Sequence, residues 1–159
     1  MSRGAGTMAG RAAGRAVASF AGVGFAPIAP GTVGSLAALV LGVWAMHGPA
    51  WLLPVLAIAA TAAGMVAIPL AVTDRQADPG WVVIDEVAGQ WIALLALGAI
   101  TPLGVLAAFA LFRLFDIWKP GPVGWADRQD GAIGIMMDDV IAGAMAAAVL
   151  LAARWAGVV

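Results

Sequence analysis

Long apolar stretches separated by short polar or proline- and glycine-bearing breaks dominate this chain. Val33–Met46 is apolar until His47, Gly48 and Pro49 interrupt it. Trp51–Val72 follows, 22 residues without a formal charge, and one helical crossing of a bilayer needs roughly 20. Val87–Ile100 runs to a break at Thr101 and Pro102, Leu103–Phe115 resumes, and Val140–Val158 closes the chain. The pattern predicts an all-α polytopic membrane bundle of about four to five transmembrane helices. Several runs are short for a full crossing and reach it only if the polar residues at their ends belong to the same helices. Residues 1–20 read as a cytoplasmic or interfacial leader rich in Gly, Ala and Arg. A helix there would put Arg11 and Arg15, spaced i, i+4, on one face. Residues 21–159 read as a single integral membrane domain.

Composition agrees. Of 159 residues, 63% are hydrophobic and 11% charged, where a soluble domain carries about 25% charged residues. Too few charges remain to cover a water-facing surface, and disorder requires low hydrophobicity. A net charge of −1 provides no basic face for nucleic acid. With no cysteine there is no disulfide or thiolate site. Basic residues set the orientation. Arg3, Arg11 and Arg15 hold the N-terminus in the cytoplasm, and alternate crossings return Arg75, Lys119 and Arg128 to that side. Arg154 is the exception, expected to snorkel at the far interface.

The nine acids all lie between Asp74 and Asp139. Five of them sit at predicted cytoplasmic helix ends: Asp85 and Glu86 entering the third helix, Asp116 leaving the fourth, Asp138 and Asp139 entering the fifth. Carboxylates gathered beside apolar runs repel one another unless neutralised, and oxygen-rich clusters without His or Cys suit Mg²⁺ or Mn²⁺. The competing reading makes them interface anchors, with Asp85 and Asp138 capping helix N-termini. Asp74, Asp78 and Asp130 read as bystanders.

Arg113, Lys119 and Arg128 form a basic set beside these acids. Arg113 and Asp116, at i, i+3, could simply pair on one helix, and cations at the rim of a carboxylate site suit a phosphate substrate. Pro27–Ser35 is a turn leading to a helix for which Thr32 reads as the N-cap; such helix starts bind anions through free N–H groups, and Thr32 and Ser35 could add hydroxyl hydrogen bonds. His47 reads as a loop residue. Tryptophans 44, 51, 81, 118, 125 and 155 flank the apolar runs as interfacial belts do. No P-loop, Rossmann or nucleophile-elbow pattern is present.

Three blocks together resemble the phosphatidylglycerophosphatase A family: Gly24–Ser35 (GFAPIAPGTVGS), Ile84–Ile92 (IDEVAGQWI), and Phe112–Pro120 (FRLFDIWKP) continuing through Asp127 and Arg128 to Gly134–Gly143 (GIMMDDVIAG). The chain departs from that pattern at Gly131-Ala132, where the family usually has two glycines, and at Gly121, where it favours a bulky residue. The resemblance implies a Mg²⁺-dependent integral membrane phosphatase of the bacterial cytoplasmic (inner) membrane, its site facing the cytoplasm. Its reaction would convert phosphatidylglycerophosphate to phosphatidylglycerol and inorganic phosphate.

On that reading residues 21–159 are the phosphatase domain. Asp85, Glu86, Asp116, Asp138 and Asp139 hold Mg²⁺, with Asp85, Asp116, Asp138 and Asp139 the catalytic candidates. Thr32, Ser35, Lys119 and Arg128 bind the substrate phosphate, and the resemblance also points to Asp127. Water attacks directly, or an aspartyl-phosphate forms first. The rival is a small multi-pass ion or lipid transporter using the acidic cluster for ion coupling, which predicts acids spread through membrane depth.

Overall fold

A computed structural model describes residues 7–72 and 78–158. Arg3, Asp74 and Arg75 therefore lie outside the described residues. Seven α-helices and one 3₁₀ turn make up the fold, with no strand among the described residues: α1 (Met8–Ala18), the 3₁₀ turn (Val23–Phe25), α2 (Pro30–Ala45), α3 (Leu52–Ala71), α4 (Ile84–Leu94), α5 (Pro102–Trp118), α6 (Pro122–Asp127) and α7 (Gly131–Trp155).

Local chemistry sets the ends of these helices. Thr7 caps α1 by accepting the Gly10 N–H, and Thr101 caps α5 by accepting from Gly104. Proline occupies the first turn of α2, α5 and α6, where its missing N–H costs nothing. Lys119 ends α5 in the left-handed conformation, and Pro120 blocks continuation. The expected cap at Thr32 is corrected here: α2 already starts at Pro30, whose fixed φ suits the helix, with Ala29 as its N-cap.

α4 is the central helix, packed against α2, α3, α5 and α7. Small residues allow that closeness. Gly42 of α2 lies against Trp91 and Leu94, Gly64 of α3 against Ile84 and Met136, and Gly89 of α4 against the backbone of Gly143 in α7. Trp91 also donates its indole N–H to the Ala38 carbonyl at 2.8 Å. Close approach through small residues is the usual packing mode of helices in lipid. The apolar side chains left outside belong to the surrounding helices: Val40 and Trp44 on α2, Ile58 and Val66 on α3, Leu106 and Ile117 on α5.

Two helices, α3 and α7, are long and apolar enough to cross a membrane, while α2 is apolar but shorter. The stretch expected to be helical to Ile100 stops at Leu94, so α4 has only 11 residues, about 16 Å at 1.5 Å per residue. α7 begins at Gly131 rather than near Val140, which places Asp138 and Asp139 two turns inside the helix. Contacts fix which ends meet. The C-terminal part of α3, the starts of α2, α4 and α7, the end of α5, α6 and α1 gather at one end. At the other, Arg154 donates to the Ala96 carbonyl at 2.6 Å, closing the end of α7 onto the end of α4.

α1 is a helix with Arg11 and Arg15 both exposed. Gly14 presses it against Ala67, Leu70 and Ala71 of α3. Arg15 lies 5.1 Å from the Trp81 ring and 5.5 Å from that of Phe25, and those two rings stack. Trp81 thus joins α1 to the strap leading into α4. Trp44, Trp51, Trp118, Trp125 and Trp155 are exposed on the outer surface.

Candidate metal and phosphate site

Five carboxylates expected to cooperate converge at that first end. Asp85 and Glu86 stand in the first turn of α4, Asp116 in the last turn of α5, and Asp138 and Asp139 two turns into α7. Their oxygens form two groups, Asp85–Glu86–Asp139 and Asp116–Asp138–Asp139, each with its ligand atoms within 4.8 Å of one another. Asp139 belongs to both. Asp85, Asp138 and Asp139 are buried at 6%, 5% and 2% exposure.

The capping alternative does not describe these residues. Val83 is the N-cap of α4 and no side chain caps that helix, while Asp138 lies too far into α7 to cap anything. Asp138 instead accepts the Asp139 N–H at 2.9 Å. Asp85 Oδ1, Glu86 Oε2 and Asp139 Oδ1 are buried without any hydrogen-bond partner. Such oxygens cost about 1–3 kcal/mol each when nothing compensates them, more for charged groups. An all-oxygen donor set with uncompensated negative charge fits a hard divalent cation such as Mg²⁺.

Each expected phosphate contact has a definite place. Lys119 pairs with Asp127 and, at 2.7 Å, with Asp138, linking α5, α6 and α7. Desolvation opposes its charge, but hydrogen bonds to the two carboxylates more than offset this and raise its pKa. Arg128 is exposed at the end of α6. Thr32 and Ser35 stand on the first turns of α2, facing Arg113. Ser35 is fully buried and donates its only hydroxyl proton to the Gly31 carbonyl at 2.8 Å. Gly31 itself lies so near Glu86 that a Cβ would collide with Oε1. His47 sits at the opposite end, its Nδ1 2.9 Å from the Val43 carbonyl.

Arg113 reaches farther than its spacing to Asp116 suggests. It meets Asp116 at 2.5 Å on its own helix and Glu86 of α4 at 3.9 Å. Asp78, set aside as a bystander, is exposed at the mouth yet within the field of the cluster. Its pKa is raised by desolvation and by the like charges of Asp127 and Asp116, against the opposing pull of Lys119. The Arg113–Glu86 contact was not legible from spacing, because it crosses between helices far apart in sequence, and the charges that act on Asp78 likewise come from distant segments. Gly121, where the family pattern favours bulk, has φ +48° and ψ −108°, a conformation that glycine tolerates and a Cβ does not.

Comparison with known proteins identifies the family. The sequence pattern described as PgpA, phosphatidylglycerophosphatase A, matches residues 16–154. Phosphatidylglycerophosphatase A of Escherichia coli (strain K12) is 38% identical over 131 residues, covering 81% of this chain and 76% of the relative. The Haemophilus influenzae protein of the same name is 36% identical over 137 residues, covering 84% of each. A Bacteroides thetaiotaomicron protein, provisionally named a phosphatidylinositol-3-phosphatase, is 39% identical over 142 residues, covering 84% of this chain and 89% of its own. No solved structure matches the chain. The chain belongs to the phosphatidylglycerophosphatase A family.

Proposed function

We infer that this protein hydrolyses phosphatidylglycerophosphate to phosphatidylglycerol and inorganic phosphate, assisted by Mg²⁺, at the cytoplasmic face of a bacterial inner membrane. Membership of the family supports the reaction class. One observation carries the site: two carboxylate triads share Asp139 and include buried oxygens with no partner. A transporter's acids would be spread through membrane depth, whereas these meet at one end of the bundle.

Asp85, Glu86, Asp116, Asp138 and Asp139 would hold the cation, which supplies positive charge against the phosphate and acidifies the attacking water. The protein's own groups do the rest. Lys119 and Arg128, with Thr32 and the N–H groups at the start of α2, hold the nonbridging oxygens as charge develops on them. Ser35 stands behind that turn. Water attacks phosphorus as the bond to the glycerol oxygen breaks. A site carboxylate accepts the water's proton, and the departing glycerol oxygen takes one up.

The same reading places α2, α3, α5 and α7 across the membrane, with short α4 enclosed between them, giving four to five crossings. Outward apolar side chains on α2, α3 and α5 support this. Residues 1–20 would lie at the cytoplasmic interface and 21–159 form the membrane domain.

The test is phosphate release in detergent from phosphatidylglycerophosphate, with phosphatidylinositol-3-phosphate as the competing substrate. Activity should need Mg²⁺, vanish with chelator, and fall at least a thousandfold in Asp85→Ala and Asp139→Ala. Near-wild-type turnover in both variants would refute the site, and preferential turnover of the inositol lipid would refute the substrate.

A further inference from the structure

Arg113 is held by groups from three helices. Its Nη1 lies 2.5 Å from Asp116 Oδ2 and 3.9 Å from Glu86 Oε1. It also donates to Ser35 Oγ at 3.3 Å, while Nη2 reaches Thr32 Oγ1 at 3.5 Å. Only 15% of the side chain is exposed, and its Nε–H is buried without a partner. Because Ser35 gives its proton to Gly31, the oxygen turned toward the guanidinium can only accept from it. That hydroxyl is a fixed rest for the cation.

Glu86 and Asp116, the two acids paired with Arg113, belong one to each carboxylate triad. A divalent cation and the guanidinium therefore draw on the same negative charge. If a cation takes those oxygens, Arg113 is left with a full charge, an unused N–H, and a planar fork of donors suited to phosphate.

We propose that Arg113 is the exchangeable counter-ion of this site: it neutralises Glu86 and Asp116 without a divalent cation, and binds the phosphate monoester once a cation takes them. The proposal rests on the metal-assisted reading above. Its signature is linkage: cation and phosphate each tighten the other's binding by the same factor, and part of that factor runs through Arg113.

The test is calorimetric titration of the full-length protein in detergent with Mn²⁺ alone, inorganic phosphate alone, and phosphate in saturating Mn²⁺. In wild type, Mn²⁺ should tighten phosphate binding at least tenfold. Arg113→Gln should bind Mn²⁺ alone several-fold more tightly, because the competing cation is gone, and should lose at least tenfold of the phosphate enhancement. A merely structural arginine would not give these opposite shifts. Weaker Mn²⁺ binding in Arg113→Gln, or an undiminished phosphate enhancement, overturns the proposal. Should that variant not fold, Arg113→Lys keeps the charge and loses the fork. It should bind Mn²⁺ as wild type does, with the enhancement reduced at least threefold; an unchanged enhancement again overturns it. Absence of Mn²⁺ binding in the wild type would instead refute the metal reading itself.

Discussion

The contact that most directly couples packing to chemistry lies one turn beyond the carboxylates. Gly89 follows Asp85 by four residues and Gly143 follows Asp139 by four, and the two glycines bring α4 and α7 together backbone to backbone. A Cβ on Gly143 would strike the Gly89 carbonyl oxygen and come within 2.9 Å of its C and Cα atoms. Backbone cannot rotate out of the way as a side chain can. In Gly143→Ala the helices must separate by about 1 Å for the carbonyl oxygen to regain ordinary contact. Overpacking of this kind costs about 1–3 kcal/mol, against at most ~1 kcal/mol gained from replacing a helical glycine. At about 2–4 °C per kcal/mol for a chain of this size, Tm should fall by several degrees. The same displacement separates Asp139 from Asp85, and a shift approaching 1 Å can cost about a hundredfold in rate. Turnover should therefore drop at least tenfold. Thermal unfolding and phosphate release on one detergent preparation measure both effects. Gly10→Ala is the control, since a Cβ there makes only an ordinary 3.5 Å contact with Thr7. Gly143→Ala with wild-type Tm would refute the packing argument; a lowered Tm with wild-type turnover would refute its link to the site.

Four further outcomes are expected. Asp139→Asn should lose at least a thousandfold in turnover because Asp139 serves both triads, while exposed Asp130→Asn should stay within twofold of wild type, as measured by phosphate release. Lys119→Met leaves Asp138 buried without its cation and should destabilise by about 1–3 kcal/mol. The raised Lys119 pKa means this contribution is complete below the ordinary lysine range and is lost only as pH rises through the folded-state value. In thermal melts the destabilisation should therefore persist from pH 8 to 9 and shrink toward pH 6, where Asp138 without its cation can take up a proton. Arg154→Ala removes a charged donor from the Ala96 carbonyl and should cost about 1–2 kcal/mol, with kcat unchanged because it lies at the far end. Chelator should abolish phosphate release, and Mg²⁺ should restore it better than Zn²⁺, given a donor set of oxygens alone.

The apolar runs located α2, α3, α4, α5 and α7, because uninterrupted hydrophobicity is visible in any window of the chain. Their ends were less legible. Pro30 looks like a helix breaker until it is placed in a first turn, and Gly131–Met137 looks like a loop until it is seen to carry α7 two turns before its aspartates. The five carboxylates were legible from their scarcity and pairing. Arg113 was not, beyond Asp116: its hydroxyl partners lie 78 and 81 residues away in sequence, and only tertiary packing brings α2 and α5 together. Asp78 was missed for the same reason, since its charged neighbours come from α5 and α6.

The short, enclosed α4 constrains how this protein is made. Eleven residues carrying Asp85, Glu86 and Gln90 are too few and too polar to partition into lipid unaided, since a span requires roughly 20 apolar residues and each central carboxylate costs about 2.5–3.5 kcal/mol on insertion scales. On the membrane reading, α4 is held by partners on both sides of it in sequence: α2 and α3 are made before it, α5 and α7 after it. Its close backbone contact, Gly89 on Gly143, forms only once the first half of α7 has been made. On the same reading, a chain cut before residue 131 would keep α2 and α3 but leave α4, with two of the five acids of the centre, without α7 to enclose it. The active centre is thus the last part of the molecule to assemble, so an incomplete chain cannot expose a working site.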